Sequence, residues 1–432
     1  MTRWSTTKLC IMVAALAGAA TVGMAQQPFG VDPSFQLAPT VLDATIRGVV
    51  ELPDGRLLVS GEMRNSDQTH TTPRVIRLMP SGTRDWSFDW APGGGYIRSW
   101  NDKWYVGGVS RLYADGTWDM GFHLGFSTPQ TVSELFHPAM TTGFSVRPDG
   151  GLVLFGEHTL TDSARGFLGF HHMVWVDSVG ELDTTHIHRK ANAALWYMTE
   201  LPDGKYITAG GGGMYDGHPV GGIIRIHPDG AADTTFQTSS LTWGYPVTYL
   251  PLSDGKILAG GSMQFGWGQD TLSLVRLLSD GSIDPDFNNY LDVRNELGAP
   301  YTTKGSVLSI TPWGADRLII TGSFTHVAGE VRGGIAMLDT AGYLANDHFI
   351  GPGCGPATHP VTGELSMSLH GLLPLANDKL LVYGSYTGYD DGFTNHIGQR
   401  AITKLYGPTV GIAEHEAVSF SLYPNPATTY VT

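Results

Sequence analysis

The chain has 432 residues, 15% charged and 10% aromatic, with 57 glycines and a formal net charge of −14. That balance suits an all-β protein built on many tight turns. It excludes a nucleic-acid partner, because no Lys/Arg run offers the clustered cations that phosphates require.

The N-terminus reads Met1-Thr2-Arg3, then Lys8, then a mostly apolar run from Leu9 to Met24 that closes on the small residues Gly23-Met24-Ala25. A basic start, apolar middle and small-residue exit predict a secretory signal peptide over residues 1–25, cleaved after Ala25. A membrane anchor is the alternative, disfavoured by the short, Ala/Gly-rich run. No other segment nears the ~20 apolar residues of a spanning helix. Signal removal takes Cys10 and leaves Cys354 in a Gly/Pro loop, so neither an internal disulfide nor a multi-cysteine metal site is expected.

From about residue 30 to 408 one pattern recurs seven times. Its fifth copy is clearest: Leu252-Ser253-Asp254-Gly255-Lys256-Ile257-Leu258-Ala259-Gly260-Gly261, then Arg276-Leu277-Leu278-Ser279-Asp280-Gly281, then Asp284-Pro285-Asp286-Phe287. Asp-Gly pairs at 54–55, 149–150, 203–204 and 254–255 predict two-residue hairpin turns at positive φ. Short apolar runs follow, each closed by a glycine: Gly61, Gly107, Gly156, Gly210, Gly260, Gly322 and Gly384. Such runs read as strands covered on both faces by neighbouring sheets. A period of about 40–60 residues of strands and turns points to a β-propeller.

The Asp-x-x-Phe ending occurs at 85–88, 119–122, 233–236 and 284–287, with looser forms at 183–187 and 346–349. The seventh repeat lacks one, and a spare copy, Asp32-Pro33-Ser34-Phe35, stands near the N-terminus. Asp32 and Phe35 are therefore expected beside Ile402–Leu405, closing the ring and removing an open sheet edge. The pattern resembles the delta-60 repeat family. The resemblance implies a propeller-like fold in a secreted or surface setting and no assigned reaction. The resulting expectation is an all-β, seven-bladed β-propeller over residues 26–408, closed by an N-terminal strand and preceded by a signal peptide.

Residues 409–432 read as a linker and the start of a further domain. Leu422-Tyr423-Pro424-Asn425-Pro426-Ala427 resembles the opening of the type-A sorting domain of type IX secretion, with later elements of that pattern missing. The resemblance implies export by a type IX-like route, with the type IX machinery as partner.

In a four-stranded blade the short turns share one face, and the long, variable loops share the other. Binding residues concentrate in such loops. There stand Trp243, Tyr245, Phe265, Trp267 and Asp270, and Tyr386, Tyr389, Asp390 and Asp391, suited to holding a glycan or protein by stacking and hydrogen bonds. Packing of these rings onto the blades is the alternative. Asp390-Asp391-Gly392 lacks the spaced acids of a calcium loop, and His171-His172 with His186-x-His188 lacks a third ligand, so no metal or cofactor is expected. Hydrolase, phosphate-binding and zinc-peptidase motifs are absent. A secreted binding module is the first reading. A polysaccharide or peptide hydrolase or lyase and a structural spacer are the rivals.

Overall fold

A computed structural model describes residues 27–407, apart from 39–40, 42–43, 65–70, 89–90, 108–109, 123–134, 298–302 and 359–362. The expected signal peptide (1–25) and the sorting motif Tyr423-Pro424-Asn425-Pro426 lie outside the described residues. The described residues are all-β and contain no α-helix. None of their helices is long and apolar enough to cross a membrane.

Each repeat forms one antiparallel sheet with three main strands in chain order. The first sheet is Ala44–Glu51, Leu57–Arg64 and Thr71–Leu78, and the fifth is Leu241–Pro251, Ile257–Phe265 and Thr271–Leu277. The last is Ser368–Pro374, Lys379–Asp390 and Arg400–Tyr406, with Gly353–Gly355 added beyond its second strand. The expected fourth strand is mostly reduced to isolated bridges, such as Leu78 with Arg84 and Leu277 with Ile283, and the first sheet adds the two-residue strand Ala91–Pro92. The residue equivalent to Asp284 in the sixth repeat is Ala345, whose N–H donates to Met337, and not Asn346.

The Asp-Gly turns also differ from expectation. Only the glycine takes positive φ, as at Gly55 (80°) and Gly255 (81°). Glu51 pairs with Leu57 across a five-residue loop, in which the Gly55 N–H donates to Leu52 O at 2.9 Å. The aspartate serves as an acceptor, with Asp54 Oδ1 taking the Arg56 N–H.

The closing glycine does not end its strand. The second strand continues past Gly61, Gly156, Gly260 and Gly384. The reason lies across the ladder, where the first strand carries a bulge: Ile46 pairs with Gly61 and Gly48 with Ser60, leaving Arg47 over. The bulge presses backbone onto the glycine. A Cβ on Gly61 would collide with Thr45 O, and one on Gly384 with Ser368 O. The glycine is a close-approach residue.

The core is divided between sheets. Leu58 and Val75 of the first sheet pack with Ile97 and Val106 of the second, and Leu258 and Leu274 of the fifth with Val307 and Ile320 of the sixth. Every consecutive pair of sheets shares such a cluster. One further cluster joins Val59 and Ile76 of the first sheet to Leu381 and Ile402 of the last, with Phe35 between them.

Candidate functional site

The repeated charged residues form a fastening on the short-turn side. Asp119 Oδ2 accepts from Arg111 Nε at 2.6 Å and Lys103 Nζ at 2.8 Å. Asp284 does the same with Arg276 and Lys256, and Asp233 with Arg225 and Lys205. Each arginine lies over the phenylalanine of its own Asp-x-x-Phe, Arg276 at 4.9 Å from the Phe287 ring centre. It then reaches the next repeat, as Arg276 Nη1 donates to Thr340 O and Arg111 Nη1 to Ser178 O. Paired charges and backbone donors hold Asp119 at about 2 against its burial. The most regular residues of the chain are therefore structural.

Asp32 has the same setting. It is buried, its N–H donates to Lys404 O at 2.9 Å, and Val31 bridges Leu405. Its Oδ1 accepts from Ser34, and Lys379 Nζ stands 3.7 Å from Oδ2. Phe35 is buried, and the next residue, Gln36, donates to Ser81 O of the first repeat. Gln237 likewise donates to Asp280 O in the fifth.

The candidate ligand residues fall in two groups, two repeats apart. In the fifth repeat Trp243 is 58% exposed, Tyr245 42% and Trp267 86%, and Asp270 is exposed. Phe265 is half-buried against the core. In the seventh, Tyr386 and Tyr389 are buried, a correction to their expected place on the surface. Tyr386 Oη donates to Thr403 Oγ1 at 2.7 Å, and Tyr389 Oη to Phe29 O at 3.0 Å. Both rings stand on the long second strand, where Tyr389 pairs with Cys354, and both pack into the last core cluster. Asp391 is buried too, its Oδ1 accepting the N–H groups of Phe393 and Thr394. Asp390 is half-buried, and its Oδ1 accepts the Gly392 N–H.

Among the described residues no three His, Cys, Asp or Glu side chains are grouped to hold a metal. The histidines of the third repeat are structural partners: His188 Nδ1 accepts from Trp175 N, and His172 Nδ1 from Ala191 N. Cys354 is buried, which raises its thiol pKa well above the ordinary value.

A cavity of about 470 Å³ is lined by the first strands of all seven sheets, at the bulge where the strand carries one. The bulge residues Arg47, Thr142, Val247, Leu308 and His370 all line it. Arg98, Tyr96, Tyr197 and Tyr383 complete its polar wall. Tyr383 comes from a second strand, and it reaches inward because residue 371 is glycine, where a Cβ would overlap the tyrosine hydroxyl. Next to the cavity, Trp196 stacks on Tyr245 at 6.2 Å with the rings 24° apart. Each precedes a cavity residue, Tyr197 or Val247, on its strand.

Sequence reasoning missed Trp196 and the cavity arginines and tyrosines. A signal for the bulges existed, since Arg47, Thr142, Val247 and His370 stand seven residues before Asp54, Asp149, Asp254 and Asn377.

The pattern of a β-propeller domain of unknown function, DUF5122, matches residues 52–88, 201–236 and 252–287, in the first, fourth and fifth repeats. The domain is a β-propeller. No curated protein matches the chain. A propeller-like neighbour among solved structures is virginiamycin B lyase from Staphylococcus aureus, at 11% identity over 88% of this chain and 99% of that one, TM-score 0.38. A protein of unknown function from Bacteroides caccae aligns at 12% over 56% of this chain and 66% of its own, TM-score 0.26. PorZ, a surface component of the type IX secretion system of Porphyromonas gingivalis, aligns at 10% over 86% of this chain and 55% of its own, TM-score 0.34. At these values the likenesses say nothing about ligand or activity.

Proposed function

We propose that the chain is an exported, non-catalytic binding module: a seven-bladed propeller over residues 26–408 that takes a glycan or protein ligand at the mouth of its central channel. The observation that carries this is one cavity lined by all seven sheets, with the stacked Trp196–Tyr245 pair beside it. Flat, partly exposed rings next to a polar hollow suit ligands that stack and hydrogen-bond. Trp243, on the strand of Tyr245, and Trp267, in the loop after the next strand, are exposed too.

Closure of the ring by residues 31–35 is part of the proposal. Its support is the Asp32–Lys404 ladder bond and the cluster joining the first and last sheets. The signal peptide at 1–25 and the sorting motif at Tyr423 to Pro426 support export by a type IX-like route to the cell surface or medium. The rival reading, a polysaccharide hydrolase or lyase, asks for carboxylates at the reacting centre. No Asp or Glu is among the described residues lining the central cavity.

Screening the mature chain on glycan and extracellular-protein arrays, beside Trp196→Ala and Tyr245→Ala, tests the reading. A ligand held by the mature chain and lost by both variants supports it. Equal binding by all three places the ligand elsewhere, and turnover of the bound ligand favours the enzyme.

A further inference from the structure

The wall of the central cavity is cationic, in a chain of formal net charge −14. Arg47 comes from the first sheet and Arg98 from the second, and both are exposed. Arg47 is shared with Glu62 at 3.2 Å. Arg98 forms no ion pair among the described residues; it donates to the Ile97 carbonyl and lies 5.5 Å from the Tyr96 ring centre. Its remaining guanidinium donors have no protein acceptor among the described residues.

The other polar groups supply hydrogen bonds and no opposing charge. Burial pushes Tyr383 up to about 12 and raises Tyr96, so both keep their hydroxyl protons at neutral pH. Burial and then Arg47 push His370 down to about 4, so it is neutral there. Two guanidinium groups, tyrosine hydroxyls and a neutral imidazole face one space. Such a set recognises a carboxylate, and guanidinium matches its two oxygens with paired N–H donors.

We infer that the channel selects acidic sugars: a uronate carboxylate is held by Arg98 and Arg47, while its ring or the next one stacks on the Trp196–Tyr245 surface. This rests on the binding reading above and names its ligand class. A sugar is favoured over an acidic peptide because the near-parallel rings beside the cavity offer flat faces, and the volume is in the range of small-ligand sites.

The test is calorimetric titration of the mature chain with tri-galacturonic acid, its fully methyl-esterified form and tri-glutamate. The acid is expected to bind, the ester at least tenfold more weakly, and the acid's affinity to fall as salt rises. Arg98→Gln is expected to lose roughly tenfold in affinity for the acid, and Arg98→Lys, which keeps the charge and loses the paired donors, to fall between Arg98→Gln and the unsubstituted chain. Because Arg98 is exposed and outside any described ion pair, neither variant should move the melting temperature. Equal binding of acid and ester overturns the charge inference and leaves the binding reading standing. Binding of tri-glutamate in preference to the uronate overturns it in favour of an acidic peptide. No binding of either sugar overturns the inference, and with a blank array it removes the binding reading as well.

Discussion

The Asp32 N–H donates to the Lys404 carbonyl at 2.9 Å, across 372 residues of chain, just as the Asp284 N–H donates to Arg276 at 2.8 Å within one repeat. The equivalence extends to the neighbours. Val31 bridges Leu405 as Ile283 bridges Leu277. The N-terminal segment thus pairs with the last strand in the way residues 283–284 pair with theirs.

The repeated Arg–Asp pair predicts a sharp contrast between two aspartates of the second repeat. Asp119 is buried and accepts from both Arg111 and Lys103, so Asp119→Ala leaves a buried guanidinium without its partner. The expected loss is about 3 kcal/mol. Asp115→Ala, on the exposed turn, removes only the bonds from Thr117 and should lower the urea midpoint much less. Equal midpoints for the two variants would show that the pair contributes nothing.

A second contrast concerns the closing glycines. Gly384→Ala drives a Cβ into Ser368 O and is expected to cost about 1–3 kcal/mol. Gly398→Ala meets nothing within 4 Å and should be neutral. Thermal unfolding of the two variants checks this. A neutral Gly384→Ala would mean that the bulge relaxes.

Much of the scaffold was legible because it repeats. Arg276, Asp284 and Phe287 recur in type and spacing, and they meet in one cluster of ion pair and ring. The site does not repeat. Arg47 and His370 enter the cavity because a bulge inserts one residue into an otherwise regular strand, and a pattern read from turns and apolar runs passes over it. Arg98 comes from the second repeat, whose first strand is only Ile97–Trp100. Tyr386 and Tyr389 looked like loop aromatics because their strand runs six residues beyond Gly384. The sequence alone does not tell a packed ring from a presented one.

That correction has its own test. Tyr389→Phe removes the donor to Phe29 O, and about 1 kcal/mol of stability should go with it. Trp267→Ala, at an 86% exposed site, should leave stability unchanged. A melting temperature lowered more by Trp267→Ala would reverse the assignment.

The buried His158 and His188 and the half-buried His370 predict acid sensitivity. Burial pushes His158 down to about 3 and His188 to about 4, and burial then Arg47 push His370 to about 4. Their ordinary value is 6.5. Between that value and the lowered ones the unfolded chain binds more protons than the folded one, so stability falls as pH falls. Below about pH 4 the carboxylates act in the same direction. Asp119, held at about 2, contributes stability above its ordinary 3.8 that is lost as pH falls toward 2. The melting temperature should therefore drop between pH 7 and 4, and His370→Gln should flatten that part of the profile. A flat profile in the unsubstituted chain would contradict the desolvation of these rings.

Closure by the N-terminal segment is tested most directly by amide hydrogen exchange of the full chain, read at Asp32 and Tyr406. The Tyr406 N–H donates to Gly30 O and the Asp32 N–H to Lys404 O, both at 2.9 Å. Both amides should be protected as strongly as those of Asp284 and Ala345, which make the same bond inside their repeats. Exchange at Asp32 and Tyr406 at the rate of unstructured chain, with Asp284 and Ala345 protected, would contradict a ring fastened at residues 31–35.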